Sequence, residues 1–325
     1  MCFQVHAQTK SDATGATPAV PGQPAATGGG ETTMKIDDAA GTKNKVKGDL
    51  DKEITDARIR AESGSKSKLS MSTGMNYRGG SIERPFGNER PDLTGLPENQ
   101  LDTSLSALVK MRYRTTKNES YTFGAELGVK TPFHGDINAN ENQLNVGDPA
   151  LGYNKTWAAL GLQNSWNIGL GAGLTDESKN IDLIGNFFTD YTMVHKFQNK
   201  ITIGAQYVFN YNFYETEPGE NPKWATSKVP HKNDKRGLWA FNVNPSVEYS
   251  LTDKLNIRAL FAYFRWRHLY GDDENWRMLR SKEYNSLGLG IAATRDIYLY
   301  PNVQFLPRDI RSDYTNFACS ATMNF

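Results

Sequence analysis

The 325-residue chain is 38% hydrophobic and 22% charged, and no stretch of it has the apolar run that a membrane-spanning helix needs. Lys and Arg number 37 against 36 Asp and Glu, a formal net charge of +1 that gives no support to nucleic-acid binding through a basic face. Cys2 and Cys319 lie at opposite ends of the chain, so a disulfide framework is not expected.

Val5-His6-Ala7 before Gln8 has the small residues of a signal-peptidase site, and residues 1–7 read as the remnant of a signal peptide. Residues 8–45 are Thr, Ala, Gly, Pro and Ser with scattered charges, including Gly28-Gly29-Gly30. Such a segment buries too little apolar surface to offset its ordering entropy and is expected to be a disordered tether. Within residues 46–65, Val46, Leu50, Ile54, Ala57 and Ala61 recur at helical spacing, while Thr55, Ala57, Ile59 and Ala61 also alternate. A short amphipathic helix and an irregular segment both fit; a helix here could enter one mouth of the fold that follows and help close it.

Residues 66–325 consist of segments in which every second residue is apolar or aromatic, the signature of strands with one oily and one wet face. Ile201, Ile203, Ala205, Tyr207, Phe209, Tyr211 and Phe213 alternate with Thr202, Gly204, Gln206, Asn210 and Asn212. Tyr121, Phe123, Ala125, Leu127 and Val129 alternate with Thr122, Gly124, Glu126, Gly128 and Lys130. About twelve such segments occur, near 67–77, 102–114, 120–133, 148–162, 165–175, 181–195, 200–214, 237–251, 255–266, 283–294, 297–306 and 314–325. The uncharged run Thr156–Thr175 is broken up by glycines and reads as a hairpin rather than a helix.

Connections alternate in length. Tight turns are predicted at Thr115–Ser120, Gln163–Ser165, His195–Lys200, Thr252–Lys254 and Thr294–Asp296. Longer loops are predicted at Arg78–Gln100, His134–Gly147, Asp176–Asn180, Glu215–Arg236, Arg267–Lys282 and Pro307–Asp313. Short turns at one rim and long loops at the other are the layout of a closed, all-β, antiparallel transmembrane barrel, because in hydrocarbon every backbone polar group must be paired within the protein. Trp157, Trp166, Trp239, Tyr249 and Trp266 are expected in its interfacial girdles. Two irregularities are anticipated: a bulge or shortened strand near Lys155, where 148–162 changes parity, and a break in hydrogen bonding at Pro245.

The last segment alternates Phe317, Cys319, Ala321, Met323 and Phe325 with Ala318, Ser320, Thr322 and Asn324. It closely resembles the C-terminal strand of Gram-negative outer-membrane β-barrels of the porin or channel class. Phe317, Ala321, Met323 and Phe325 would then be the signal read by the barrel-assembly machinery. The resemblance covers the barrel as an architecture and implies outer-membrane lipid and lipopolysaccharide as surroundings, with the N-terminal tail in the periplasm. Gly147-Asp148-Pro149-Ala150-Leu151-Gly152-Tyr153 resembles a Gly-Asp strand entry of some outer-membrane transporters.

With the apolar face toward lipid, Lys110, Arg112, Arg114, Glu126, Lys130, Asp182, Asp190, Glu248 and Arg258 are predicted to line the lumen. They could form a constriction that selects solutes by charge, or an internal ladder of salt bridges filling a narrow barrel. Three readings follow: a channel for passive diffusion of small hydrophilic or anionic solutes, a filled barrel used for surface recognition, or a barrel enzyme. The last would draw on His134 with Asp136, or His268 with Asp272 and Asp273, but no Gly-x-Ser-x-Gly or His-Glu-x-x-His motif accompanies them. Asp136, Asn138, Asn140 and Asn142 carry calcium-loop oxygens, yet Glu141 stands where the turn glycine belongs. No cofactor or metal is therefore expected, and an enzyme is not the favoured reading.

Overall fold

The computed structural model describes residues 49–93, 98–134, 143–216, 236–261, 264–269 and 284–325. Residues 1–48, and with them the predicted signal remnant, tether and Val46, lie outside the described residues. Twelve long strands form the fold: β1 Leu69–Ser81, β2 Ser104–Arg114, β3 Glu119–Lys130, β4 Ala150–Ala159, β5 Leu162–Ala172 and β6 Leu183–Lys196, then β7 Ile201–Tyr214, β8 Gly237–Ser250, β9 in two segments (Leu255–Phe261 and Phe264–Leu269), β10 Asn285–Ala292, β11 Ile297–Phe305 and β12 Asn316–Asn324. Each pairs antiparallel with its sequence neighbours, and β12 pairs with β1 from Ser72↔Asn324 to Ser81↔Asn316. The sheet therefore closes on itself as a twelve-stranded transmembrane barrel.

Alternation decides which side chain goes where. Leu69, Met71, Met111, Phe123, Leu151, Leu170, Ile203, Ile257, Leu287 and Leu289 stand exposed on the outer face. Ser70, Ser72, Thr122, Asn154, Thr156, Thr192, Thr202, Ser246 and Ser286, on the opposite parity, are buried inside. This inversion of the water-soluble pattern is stable only where acyl chains solvate the exterior. Aromatic rings join across strands on that exterior: Trp157 stacks on Tyr191, Tyr191 on Tyr207, and Phe241 on Trp266, with centroids 6.1, 6.1 and 5.4 Å apart. Trp166 donates its indole N–H to Thr189 Oγ1 at 2.8 Å, Trp239 stacks on His268, and Tyr249 is exposed.

Phe317, Ala321 and Met323 project outward from β12, and Phe325 extends the ladder through paired backbone bonds with Met71. Cys319, half-buried, faces Tyr77 and Pro301 across the two neighbouring strands.

Two sequence expectations need correction in the fourth hairpin. Its turn is Leu160-Gly161, not Gln163–Ser165, and the β4–β5 register runs unbroken from Ala150↔Gly171 to Ala159↔Leu162, so there is no bulge near Lys155. The apparent parity change arises because Lys155 occupies an outward position opposite Glu119 and pairs with it at 3.0 Å at the turn rim, where a charged head reaches water. Leu160 and Gly161 both have left-handed backbone, φ 54° and 75°, as two-residue hairpins of the mirror-image type require. Leucine is costly there, and Leu160 is 98% exposed, so its side chain recovers nothing by packing. Leu160→Asn should stabilise the barrel by about 1 kcal/mol, seen as a higher unfolding midpoint; an unchanged midpoint would mean that the turn carries no such strain.

Pro245 behaves as anticipated. Its ladder with β7 is continuous at Ala205↔Pro245, but the β8–β9 register steps by one residue between Val243↔Phe264 and Ser246↔Leu260. A ring nitrogen cannot donate, so the partner strand slips past the gap.

At the loop end, α2 (Asp176–Asn180) is capped by the Thr175 hydroxyl. The Asp148 carboxylate accepts the Leu174 and Thr175 N–H groups at 2.7 and 2.8 Å and the Ser178 hydroxyl. Burial works to raise its pKa, but those bonds outweigh it and hold the carboxyl below the usual carboxylate range. The Gly147-Asp148 entry is thus a clasp between neighbouring loops.

Candidate functional site

The barrel is not empty at its short-turn end. Asp49–Ser65 lies inside it: a short 3-10 turn, Leu50–Lys52, then α1, Ala57–Glu62, whose first turn is capped by Asp56 Oδ1 accepting Ile59 N–H at 2.9 Å. The helix is shorter than the Val46–Ala61 periodicity suggests, because it begins only at Ala57, after the 3-10 turn and the extended Asp56 cap; beyond it Gly64, at φ +85°, turns the chain toward β1. Leu50, Ile54 and Ile59 form a buried apolar cluster with Val194, one of the few apolar side chains on the inward parity. Ala61 and Ala57 pack on Ala292, Tyr298 and Tyr300.

Polar contacts fix this plug from several strands. Gln163, placed by the sequence in a turn, faces inward from β5 and accepts the Thr55 and Asp56 N–H groups, each at 2.8 Å. Arg112 donates to the carbonyls of Ser63 and Glu62 at 3.0 and 3.2 Å. Arg114 donates to those of Ser63, Gly64 and Ser65 at 2.6, 3.1 and 3.0 Å. A Cβ at Gly64 would sit 2.5 Å from Arg112 Nε, so glycine lets the guanidinium lie against the backbone. Arg295, in the β10–β11 turn, reaches the Asp51 carboxylate at 3.1 Å and Gly64 O at 2.5 Å. Lys66 pairs with Asp49 and Asp51 at 2.9 Å each, and Lys117 pairs with Glu53. The Lys66 hydrogen bond keeps the Asp49 carboxyl below its ordinary value.

Arg112 and Arg114, expected to line the lumen, are engaged by the plug. They are 5% and 3% exposed and are spent on the carbonyls that end the plug helix. Glu248 and Arg258, directly opposite on β8 and β9, form an ion pair at 3.2 Å, with Asn256 donating to Glu248 at 2.9 Å.

Above the plug lies a chamber of about 480 Å³, with Arg58 and Glu62 on its plug side and Lys110, Asp190, Arg258, Tyr298 and Tyr300 on the barrel wall. Arg58 and Glu62 pair at 3.0 Å, and Asp190 accepts Gln206 Nε2 at 2.7 Å. Glu126 is exposed in the loop-side half of β3 and Lys130 at its loop end, so neither is part of the chamber. Asp182 is not on a strand: it precedes β6 with φ 54°, buried, and accepts the Thr216 hydroxyl at 3.0 Å. A second cavity of about 390 Å³ at the loop end is lined by Arg236, Arg265 and Arg267 and, among the described residues, by no acidic side chain.

Several of these residues escaped the sequence reading. Arg265 and Arg267 face inward only because the slip at Pro245 reverses the parity of β9, a reversal that Phe261 followed by Trp266 and His268 already displays. Tyr298, Tyr300, Asn302 and Gln304 alternate with Ile297, Leu299 and Val303, so their inward aim was readable. Arg58, Glu62 and Arg295 lie outside the strands, where parity carries no information.

His134 is exposed, with Nε2 2.7 Å from Phe86 O, and His268 is buried against Trp239 on the outer face. Asp136, Asn138, Asn140, Glu141, Asn142, Asp272 and Asp273 lie outside the described residues. Among the described residues, no group of three His, Cys, Asp or Glu is placed to hold a metal.

No protein-family model and no curated protein matches the chain. Among solved structures it is similar to an outer membrane channel from Pseudomonas putida F1, at 10% identity over 81% of this chain and 97% of that one, with a TM-score of 0.47. It is also similar to a NanC porin, at 10% identity over 78% and 97% with a TM-score of 0.38, and to Salmonella typhi OmpF in complex with daunomycin, at 11% identity over 81% and 99% with a TM-score of 0.33.

Proposed function

We propose that the protein is a gated channel of the bacterial outer membrane, admitting small hydrophilic solutes from the loop end with a bias toward anions, and closed at the short-turn end by its own Asp49–Ser65 segment. The observation that carries this reading is the polar lumen itself: a chamber of about 480 Å³ inside the barrel, with an arginine-lined cavity of about 390 Å³ at the loop mouth. Filling a barrel with hydrated space and lining it with charge has no structural merit over packing it with side chains. The N-terminal tail would lie in the periplasm, on the side of the short turns.

Three cationic side chains in the lining, with no acidic one beside them among the described residues, raise the local concentration of anions and repel cations. Planar-bilayer recording under a salt gradient should give a reversal potential on the anion-selective side. Arg265→Ser with Arg267→Ser should move that potential toward zero, and the shift should shrink as ionic strength rises. Folded protein that never conducts, with or without its plug, would overturn the reading and favour the surface-recognition barrel.

A further inference from the structure

The charges that face the chamber are mostly spoken for. Arg58 is paired with Glu62, Arg258 with Glu248, and Arg112 with plug carbonyls. Among the described residues, Lys110 and Asp190 remain outside any ion pair. Lys110, inward on β2, makes no hydrogen bond or ion pair among the described residues, and Asp190, inward on β6, is held only by the neutral Gln206 amide. Both line the same chamber and make no bond to each other. Strands β3, β4 and β5 separate them, and the row of paired residues that starts at Lys110 reaches β6 at Asn186, four residues from Asp190, so their backbones are more than about 19 Å apart along the wall. Lys110 thus faces the chamber as a donor with no partner among the described residues. Unmet donors of this kind mark space that another polar molecule completes.

We propose that the chamber is a binding site for a small zwitterion of dipeptide size, its carboxylate on Lys110 and its ammonium on Asp190. A plain anion satisfies Lys110 and leaves Asp190 unanswered; a plain cation does the reverse. The volume of about 480 Å³ leaves room for two residues and bridging water.

The proposal deepens the channel reading by naming a solute class, but its test does not depend on conduction. Calorimetry on folded, detergent-solubilised protein would use glycylglycine, N-acetylglycine and glycylglycinamide, which carry both charges, only the carboxylate and only the ammonium. Glycylglycine should bind at least tenfold more tightly than either blocked analogue. Lys110→Gln and Asp190→Asn should each lower that affinity at least tenfold, while Lys110→Asp combined with Asp190→Lys should restore much of it. Equal binding of glycylglycine and N-acetylglycine would show an anion site instead, and no heat from any of the three would overturn the site altogether. A barrel that binds glycylglycine but stays silent in bilayers would remove the channel reading and leave this one standing.

Discussion

Arg114→Ala should convert a mostly closed barrel into a mostly open one. The guanidinium donates to three consecutive plug carbonyls and, at 2.7 Å, to Lys117 O in the adjoining turn, so it ties the end of the plug helix to the wall. Hydrogen bonds from a charged donor contribute about 1.5–3 kcal/mol each, and losing several from one side chain should cost the docked state about 3–5 kcal/mol after non-additivity. At about 1.4 kcal/mol per decade, that raises the undocked population by roughly two to three orders of magnitude. Single-channel recording should show rare, brief openings for the native protein, frequent ones for Arg114→Ala, and a constant open level when residues 49–65 are deleted. Three identical traces would mean that the plug does not gate.

Acid supplies an independent arm. Asp49 is held below its ordinary pKa by Lys66, so its contribution to docking is fully present above the ordinary carboxylate value and is lost as pH falls through the lowered one. Openings should therefore grow more frequent on acidification below about pH 4, and Asp49→Asn should remove that part of the pH response.

The contrast between wall and plug explains what could be read from sequence. Strand alternation is a local rule, imposed residue by residue by the difference between lipid and lumen. The aim of Lys110, Asp190, Glu248 and Arg258 followed from it, as did the closure of β12 on β1. Whether an inward charge is free or engaged is not local. Arg112 and Arg114 differ from Lys110 only in standing nearer the turn, where residues some fifty positions earlier in the chain return to meet them. The same limit misplaced Gln163: its amide serves Thr55 and Asp56, a partnership that no pattern within β5 announces. Lys155 misled for the opposite reason. A charge on the lipid parity looks like a slipped register until its cross-strand partner Glu119 is known.

The Glu248–Arg258 pair gives the largest expected effect on stability. Both side chains are under 10% exposed, and their atoms lie 3.2 Å apart at an angle too poor for a hydrogen bond, so Arg258 Nε and Glu248 Oε1 form no other bond. The Arg258 guanidinium also lies over the Tyr300 ring at 4.9 Å, and the Tyr300 hydroxyl donates to Arg258 O at 3.2 Å. Removing one member strands the other, a loss of about 3–5 kcal/mol for a buried pair, so Arg258→Met and Glu248→Leu should each lower guanidinium unfolding midpoints sharply. Arg258→Met should be the worse of the two, because it also removes the cation from Tyr300 and leaves Glu248 facing Asp56 and Glu62 of the plug with only Arg58 to offset them. The double variant Glu248→Leu/Arg258→Met should recover most of the loss, since two desolvated charges disappear together. If the double variant is as unstable as the sum of the singles, the pair is coupled to the plug more tightly than to itself. In that case Arg258→Met should also open the channel.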